Sequence, residues 1–379
     1  MNRAILLVAV CAAIVGVSYG MHSPIVPVFA RDQLGADYSA VGLIGMVNFL
    51  PYMFAPFFVG ILLDRFNKSY MLVSGMLLNV FAIYMLSTAQ SVPEAMLYRA
   101  LAGVAHALFW PSAEVLVSTN SPPDRRVKGI SIFIASWILG FMVGPLIGKV
   151  VLDASDFAML FQIAAIVMAA GIVPSVLLRR FGWPAVQKDL EVRASSVQIA
   201  KELTAHPTLS SVILYYALTF GVVLAVLPAY MSEASLTSQD IEILFFVFGI
   251  ARFATLMMVP KIAGHGVLAL ALAVAATAIA MLLSFAFTSI LSFAIAVALV
   301  GLATSIFYPV TFSLVTRDTP SGQIGAKLGV YNTLFGAGWT AGPMVAGLSS
   351  DAFGSGSPYL AFFVVGTILA GSIVLVKRR

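Results

Sequence analysis

Residues 103–117 read GVAHALFWPSAEVLV, and residues 301–315 read GLATSIFYPVTFSLV. The two stretches lie 198 positions apart and share Gly, Ala, Phe, Pro, Leu and Val at matching places. The same shift holds downstream, where Pro122 meets Pro320, Gly140 meets Gly338, Gly144-Pro145 meets Gly342-Pro343, and Asp153 meets Asp351. Identities at Gly and Pro, not only at common apolar residues, mark an internal repeat. Such a period sets the architecture of a chain before any single element is assigned.

The material being repeated is apolar. Sixty per cent of the 379 residues are hydrophobic and ten per cent are charged, against roughly 25% charged in soluble domains. Mean hydropathy is +1.00. A helix crossing the hydrocarbon core needs about 20 mostly apolar residues. Twelve segments meet that measure, near 4–29, 40–62, 69–89, 93–117, 129–151, 157–178, 209–231, 240–260, 266–287, 289–314, 328–349 and 358–376. The first is too long for a signal peptide, and Pro24-Ile25-Val26-Pro27 continues it without a small-residue cleavage site. The expected fold class is an all-α membrane protein of twelve transmembrane helices in two pseudo-symmetric six-helix bundles. The expected bundles are 1–178 and 209–379, joined by a cytoplasmic linker, 179–208. Because six helices separate the copies, both bundles have the same orientation, one of the known transporter plans.

Positive charges set the sides. With the amino terminus in the cytoplasm, seventeen basic residues fall in cytoplasmic segments and only Arg31 in an outer loop, while Arg99, Lys149 and Arg252 fall within spans. This is the positive-inside bias, and it predicts an inner-membrane protein with both termini cytoplasmic. The basic balance therefore calls for no nucleic acid. The linker holds Arg179, Arg180, Lys188, Asp189, Glu191, Arg193, Lys201, Glu202 and His206. It reads either as a solvated connection or as carrying a short interfacial helix over 197–203 with a basic face. The single cysteine, Cys11, lies in an apolar run and is expected to pack. Histidines at 22, 106, 206 and 265 have no metal-ligand spacing, and no phosphate-binding glycine loop is present. No cofactor, no metal and no enzyme chemistry is expected.

Polar groups inside the spans are the candidate functional residues, since a charge at bilayer depth costs at least ~2.5 kcal/mol and must face a wet cavity or a partner. At about 100° per residue, Arg99, Gly103, His106, Trp110 and Glu114 lie within about 80° of one another on the fourth span. His106 can change charge near neutral pH; it could equally be a neutral histidine bonded to a neighbouring helix. Glu114, near the cytoplasmic end, could instead pair with a loop cation. Further candidates to line a cavity are Tyr19, His22, Asn48, Trp110, Trp137, Arg252, Tyr308, Asn332 and Trp339. Tyr215 and Tyr216, opening the seventh span close to the cytoplasm, could also line the path or be only interfacial belt residues.

Between the second and third spans stands Gly60-Ile61-Leu62-Leu63-Asp64-Arg65-Phe66-Asn67-Lys68. It resembles the G-x-L-x-D-R-x-G-R/K pattern of the major facilitator superfamily, and the resemblance extends over essentially the whole chain. It implies that Gly60, Asp64, Arg65 and Lys68 form a cytoplasmic gate. Asn67 replaces the pattern's second glycine; asparagine tolerates a left-handed backbone better than most residues, so a tight turn is expected to survive there. The matching place in the second half, Pro260-Lys261-Ile262-Ala263-Gly264-His265-Gly266, has no acid. Arg99-Ala100-Leu101-Ala102-Gly103 resembles the family's R-x-x-x-G motif, whose arginine has been linked to proton coupling. Gly140, Gly144, Pro145 and Gly148 resemble the family's G-x-x-x-G-P-x-x-G-G motif of antiporters, with Lys149 at the last glycine. Small residues four apart also let helices approach closely. Pro24-Ile25-Val26-Pro27 is similar to a stretch of the drug-efflux branch.

The resemblance implies a secondary active transporter that works as a monomer. The expected function is proton-coupled efflux of a small hydrophobic or amphipathic solute, with Arg99, His106 and Glu114 as coupling candidates. The alternatives are a proton-independent facilitator or importer of a neutral metabolite, and a membrane sensor that kept the fold without turnover.

Overall fold

A computed structural model describes the backbone of residues 3–65, 67–122, 126–178, 201, 205–262, 266–316 and 324–377, and their side chains except at 55–65, 126–127, 260–262, 308, 312, 316, 324–329 and 374–377. The linker, with the short helix considered there, and most of the acid-free loop after Pro260 lie outside the described residues. Fifteen helices follow one another, and no strand occurs among the described residues. They are α1 (Arg3–His22), α2 (Val26–Asp32), α3 (Tyr38–Arg65), α4 (Lys68–Leu86), α5 (Val92–Asn120), α6 (Arg126–Ala154), α7 (Phe157–Ala170), α8 (Ile172–Leu177), α9 (Pro207–Ala225), α10 (Leu227–Glu233), α11 (Ser238–Ile262), α12 (Gly266–Ala286), α13 (Ile290–Thr316), α14 (Ile324–Phe353) and α15 (Ser357–Lys377).

Among the described residues the fifteen helices fall on the twelve expected spans, three of which are broken. α1 and α2 form the first span, α7 and α8 the sixth, α9 and α10 the seventh. Each break has a proline just after it: Pro27 in α2, Pro174 in α8 and Pro228 in α10. Proline has no N–H to give the carbonyl four residues back, so the ladder is already interrupted where Ser23–Ile25, Gly171 and Val226 leave the helix. The single prolines Pro111, Pro145, Pro309 and Pro343 stay inside continuous helices.

Among the described residues nine helical stretches are long and apolar enough to cross a membrane, and two shorter apolar helices cover Tyr38–Phe54 and Ser357–Ile373. Large aliphatic side chains stay uncovered: Ile166 on α7 is 68% exposed, Leu291 on α13 68% and Ile368 on α15 69%. In water such a surface would be a liability; in a bilayer it is the lipid-facing surface.

The repeat governs how the helices pair. α1 packs along α6 as α9 packs along α14, α4 pairs with α5 as α12 pairs with α13, and α4 meets α7 as α12 meets α15. Two compact units result, but they differ from a plain cut at the linker. One comprises Met1–Ala36, Val47–Gln187 and Thr237–Gly249; the other comprises Asp37–Met46, Lys188–Leu236 and Ile250–Arg379. The opening turns of α3 thus belong to the second unit and those of α11 to the first.

Glycine sets the tightest crossing in the first unit. A Cβ at Gly144 would touch the Val17 carbonyl and lie 2.8 Å from both the Gly20 Cα and the Met21 amide nitrogen of α1. A Cβ at Gly20 would lie 2.6 Å from the Phe141 carbonyl. Cys11, buried nearby, points its thiol at the Gly171 carbonyl.

In the second unit α3 is tied down at its first turn. Asp37 caps it locally, accepting from the Ala40 amide at 2.7 Å. Asp351 of α14 accepts from the Tyr38 amide at 3.1 Å, the Ser39 amide at 2.7 Å and the Ser39 hydroxyl at 2.5 Å. The Tyr38 hydroxyl donates to Glu233 at 2.8 Å. A carboxylate on the orphan N–H groups of a helix start stabilises it through hydrogen bonds and the helix dipole. Asp351→Ala is therefore expected to cost about 1–2 kcal/mol, read as a lowered thermal midpoint of the detergent-solubilised protein; an unchanged midpoint would show that Asp37 suffices. Its repeat mate, Asp153, does something else and pairs with Lys149 one turn back on α6.

Candidate functional site

The face of α5 singled out from the sequence is not uniform. Arg99 and His106 are buried at 4% and 2% exposure, Trp110 is half-buried and Glu114 is exposed. Gly103 lets α5 meet α3: a Cβ there would strike the Asn48 carbonyl, with Pro51 also in contact. His106 is bonded to a neighbouring helix. The Asn79 amide of α4 donates to its Nε2 at 3.0 Å. Tyr19 of α1 lies edge-on to His106 at 5.2 Å and to His22 at 5.5 Å, and Tyr52 of α3 lies 6.3 Å from His106. His22 donates from Nδ1 to the Ser18 carbonyl one turn earlier at 2.6 Å. That leaves its Nε2 a buried acceptor.

Several buried polar atoms of this cluster have no hydrogen-bond partner among the described residues: Nε and Nη1 of Arg99, both side-chain polar atoms of Asn48, Nε2 of His22 and Oδ1 of Asn79. Each unsatisfied buried group costs about 1–3 kcal/mol, and a fold does not gather them at random. The cluster presents donors and acceptors together with one cation. An aromatic track leads away from it, from Tyr19 to Phe141 at 6.1 Å, Phe141 to Trp137 at 5.6 Å and Trp137 to Trp110 at 5.4 Å.

The second unit holds Arg252 of α11 among aromatic rings. Its guanidinium sits 5.7 Å over the Phe220 ring, within cation–π range, and its carbonyl accepts from the Ser305 hydroxyl at 2.6 Å. Tyr216 stacks on Phe307 at 4.5 Å and meets Phe335 at 5.6 Å, and Phe220 meets Trp339 at 5.7 Å. Tyr215 and Tyr216 are thus not interfacial belt residues. Both are buried, and Tyr215 donates to the Phe362 carbonyl of α15 at 3.1 Å. Asn332, one of the cavity candidates, is exposed; the Tyr308 side chain lies outside the described residues.

Of the gate motif, Gly60, Asp64 and Arg65 end α3, but their side chains lie outside the described residues, and Lys68 opens α4 half-buried. Asn67 stands in the tight connection between α3 and α4, but its backbone is extended rather than left-handed. Its φ and ψ are −66° and 124°, and its side chain accepts from the Ser69 amide at 2.9 Å. Asparagine stands there as the N-cap of α4, a role that needs an extended backbone. The glycines of the antiporter-like motif, Gly140, Gly144 and Gly148, lie with Pro145 on α6, the first two against α1. Lys149, which replaces the motif's last glycine, is held by Asp153 at partial exposure. Among the described residues no three His, Cys, Asp or Glu side chains gather into a metal site.

Sequence reasoning missed Asn79, Tyr52, Phe220, Phe307 and Phe335, as well as Glu242. The acid at 242 reads as a boundary charge two residues into the eighth span, yet it is fully buried in the first unit.

Two repeated sets of membrane-spanning helices, each unit burying a cation among polar and aromatic side chains, define a membrane transporter. The chain belongs to the Major Facilitator Superfamily, whose model matches residues 8–267. It is 22% identical over 359 residues to an MFS-type transporter, MJ1560, of Methanocaldococcus jannaschii, covering 93% of this chain and 92% of that one. It is 24% identical over 240 residues to the quinolone resistance protein NorA of Staphylococcus aureus (63% and 60% covered). It is 26% identical over 180 residues to a Na(+), Li(+), K(+)/H(+) antiporter of Planococcus maritimus (45% and 41% covered). Among solved structures, the nucleoside transporter NupG superposes with a TM-score of 0.80 over 100% of both chains at 14% identity, a likeness of fold. Proteins of this family move small molecules across membranes; they are not enzymes.

Proposed function

We propose that this transporter exports a small hydrophobic or amphipathic solute in exchange for protons, as a monomer in the cytoplasmic membrane with both termini inside. The halves 1–178 and 209–379, joined by 179–208, would alternate access, with Gly60, Asp64, Arg65 and Lys68 as the inner gate. Arg99 and His106 with Glu114 handle the proton; Tyr19, His22, Asn48, Trp110, Trp137, Arg252, Tyr308, Asn332 and Trp339 receive the solute. The carrying observation is the buried Arg99–His106–Asn48 cluster with its unspent donors and acceptors, joined to aromatic rings that suit an apolar solute. The partial matches to a resistance protein and to a proton antiporter agree with export and exchange.

The test is flux in proteoliposomes under an imposed pH gradient, with compounds first selected by their toxicity to cells lacking or overexpressing the protein. Uptake driven by the gradient, and lost in His106→Ala, is the expected result. Flux indifferent to the gradient makes the protein a facilitator, and absence of flux for every selected compound returns the sensor reading.

A further inference from the structure

Glu242, the fifth residue of α11, is fully buried, and neither carboxyl oxygen has a hydrogen-bond partner among the described residues. It lies in a notch on α6 that only glycine could leave open. A Cβ at Gly148 would collide with its Oε1, lie 2.8 Å from its Cδ and come 3.2 Å from the Met21 carbonyl of α1. The approach continues two turns on, where a Cβ at Gly249 would sit 2.8 Å from Met142 and the Phe248 ring lies 5.9 Å from Phe141.

No neighbour among the described residues compensates a charge there. On α6, Lys149 is bound to Asp153, and both are partly exposed. On α1, His22 is spent through Nδ1 on Ser18. On α11 itself, Asp240 accepts from Thr237, and Gln239 donates to the Leu152 carbonyl. An isolated carboxylate away from water and donors is far less stable than the neutral acid, so the notch suits Glu242 carrying its proton.

The repeat shows that packing does not require the acid. α3 and α11 start 200 residues apart, at Tyr38 and Ser238, so the mate of Glu242 is Gly42. In the second unit Gly42 closes the same kind of contact with hydrogen alone, a Cβ there falling 3.1 Å from the Pro343 carbonyl carbon and 3.2 Å from the Gly347 Cα.

We infer that Glu242 is a proton-binding site of the transport cycle: it binds the proton when the first turns of α11 lie in the Gly148 notch, and yields it when they leave. A single carboxyl with one nearby carbonyl offers a metal cation too few oxygens, which favours the proton over sodium. The inference deepens the proton-exchange reading and rests on it.

The experiment follows the proton itself, by infrared difference spectroscopy on the full chain in lipid, stepped between acid and alkaline buffer, with and without sodium. The wild type is expected to lose a protonated-carboxyl band on the alkaline step. Glu242→Gln, nearly isosteric, is expected to lack that band, while Glu114→Gln keeps it. Gly148→Ala, which fills the notch and evicts the carboxyl while keeping glutamate at position 242, is expected to shrink the band at neutral pH, because the displaced carboxyl is no longer desolvated. Identical spectra in wild type and Glu242→Gln overturn the inference, as does a band that responds to sodium rather than pH. Failure of the proton-exchange reading is separable: the band then behaves as expected, but a pH gradient drives no flux.

Discussion

Arg99→Met will sharply reduce gradient-driven transport and at the same time raise the thermal midpoint of the protein. The two outcomes belong together. Arg99 is buried, and two of its guanidinium nitrogens lack partners among the described residues, so the folded chain bears the cost of a desolvated cation without full compensation. Burying a charge that is not fully paired is costly, so an apolar side chain of similar volume there is expected to be stabilising. A residue kept for packing or topology would behave in the opposite way, with loss of stability and little change in flux. We expect gradient-driven uptake to fall at least about tenfold, equivalent to about 1.4 kcal/mol. Arg99→Lys should retain part of it, because it keeps the charge but not the planar fork of donors. The checks are proteoliposome flux and a thermal melt on the same preparations. A stable, fully active Arg99→Met protein would remove Arg99 from the mechanism.

Gly144→Leu carries the largest structural effect. The Val17 carbonyl, the Gly20 Cα and the Met21 amide nitrogen all stand where its Cβ would go. These are backbone atoms of α1, so no rotamer change relieves the clash, and α1 must move bodily away from α6. Overpacking in well-packed interiors costs typically about 1–3 kcal/mol and more where the backbone is forced apart. The expected outcome is loss of most folded protein from the membrane, measured as monodisperse yield after detergent extraction. Gly148→Ala should be far milder by the same measure, since its chief obstacle is the movable Glu242 side chain. Equal yields for the two variants would mean that the α1–α6 crossing is looser than the packing indicates.

The spans were legible because hydropathy and the 198-residue shift are properties of the chain alone. The main helix pairs in one unit have their counterparts in the other. The breaks after His22, Ala170 and Ala225 were not resolved as breaks, since the apolar run continues through them and only the proline placement betrays them. Asn67 shows a different limit. The motif's glycine suggested a left-handed backbone, but asparagine has a second use as a cap, and here that use prevails. At the candidate site, Arg99 and His106 were legible as polar residues on one helical face. Asn79 and Tyr52 were not, because their place beside His106 depends on which helices meet. The rings around Arg252 gave no periodic signal, since aromatic residues are common on every face of these helices. Glu242 was hidden by its position at a span end, where an acid ordinarily meets water. Only the glycine notch of α6, far earlier in the chain, makes it an interior group.

The exchange of opening turns between the units bears on how the chain matures at the ribosome. The first unit is incomplete until Gly249 of the 379 residues has been made, because Thr237–Gly249 is part of it. The turns of α3 at Asp37–Met46 are synthesised early, yet they wait for α14 to find their packing partners. The main pairs of the first unit, α1 with α6 and α4 with α5 and α7, lie early in the chain and can form before the second half is made. Asp37–Met46 must meanwhile wait in lipid or in the care of the insertion machinery until α14 arrives.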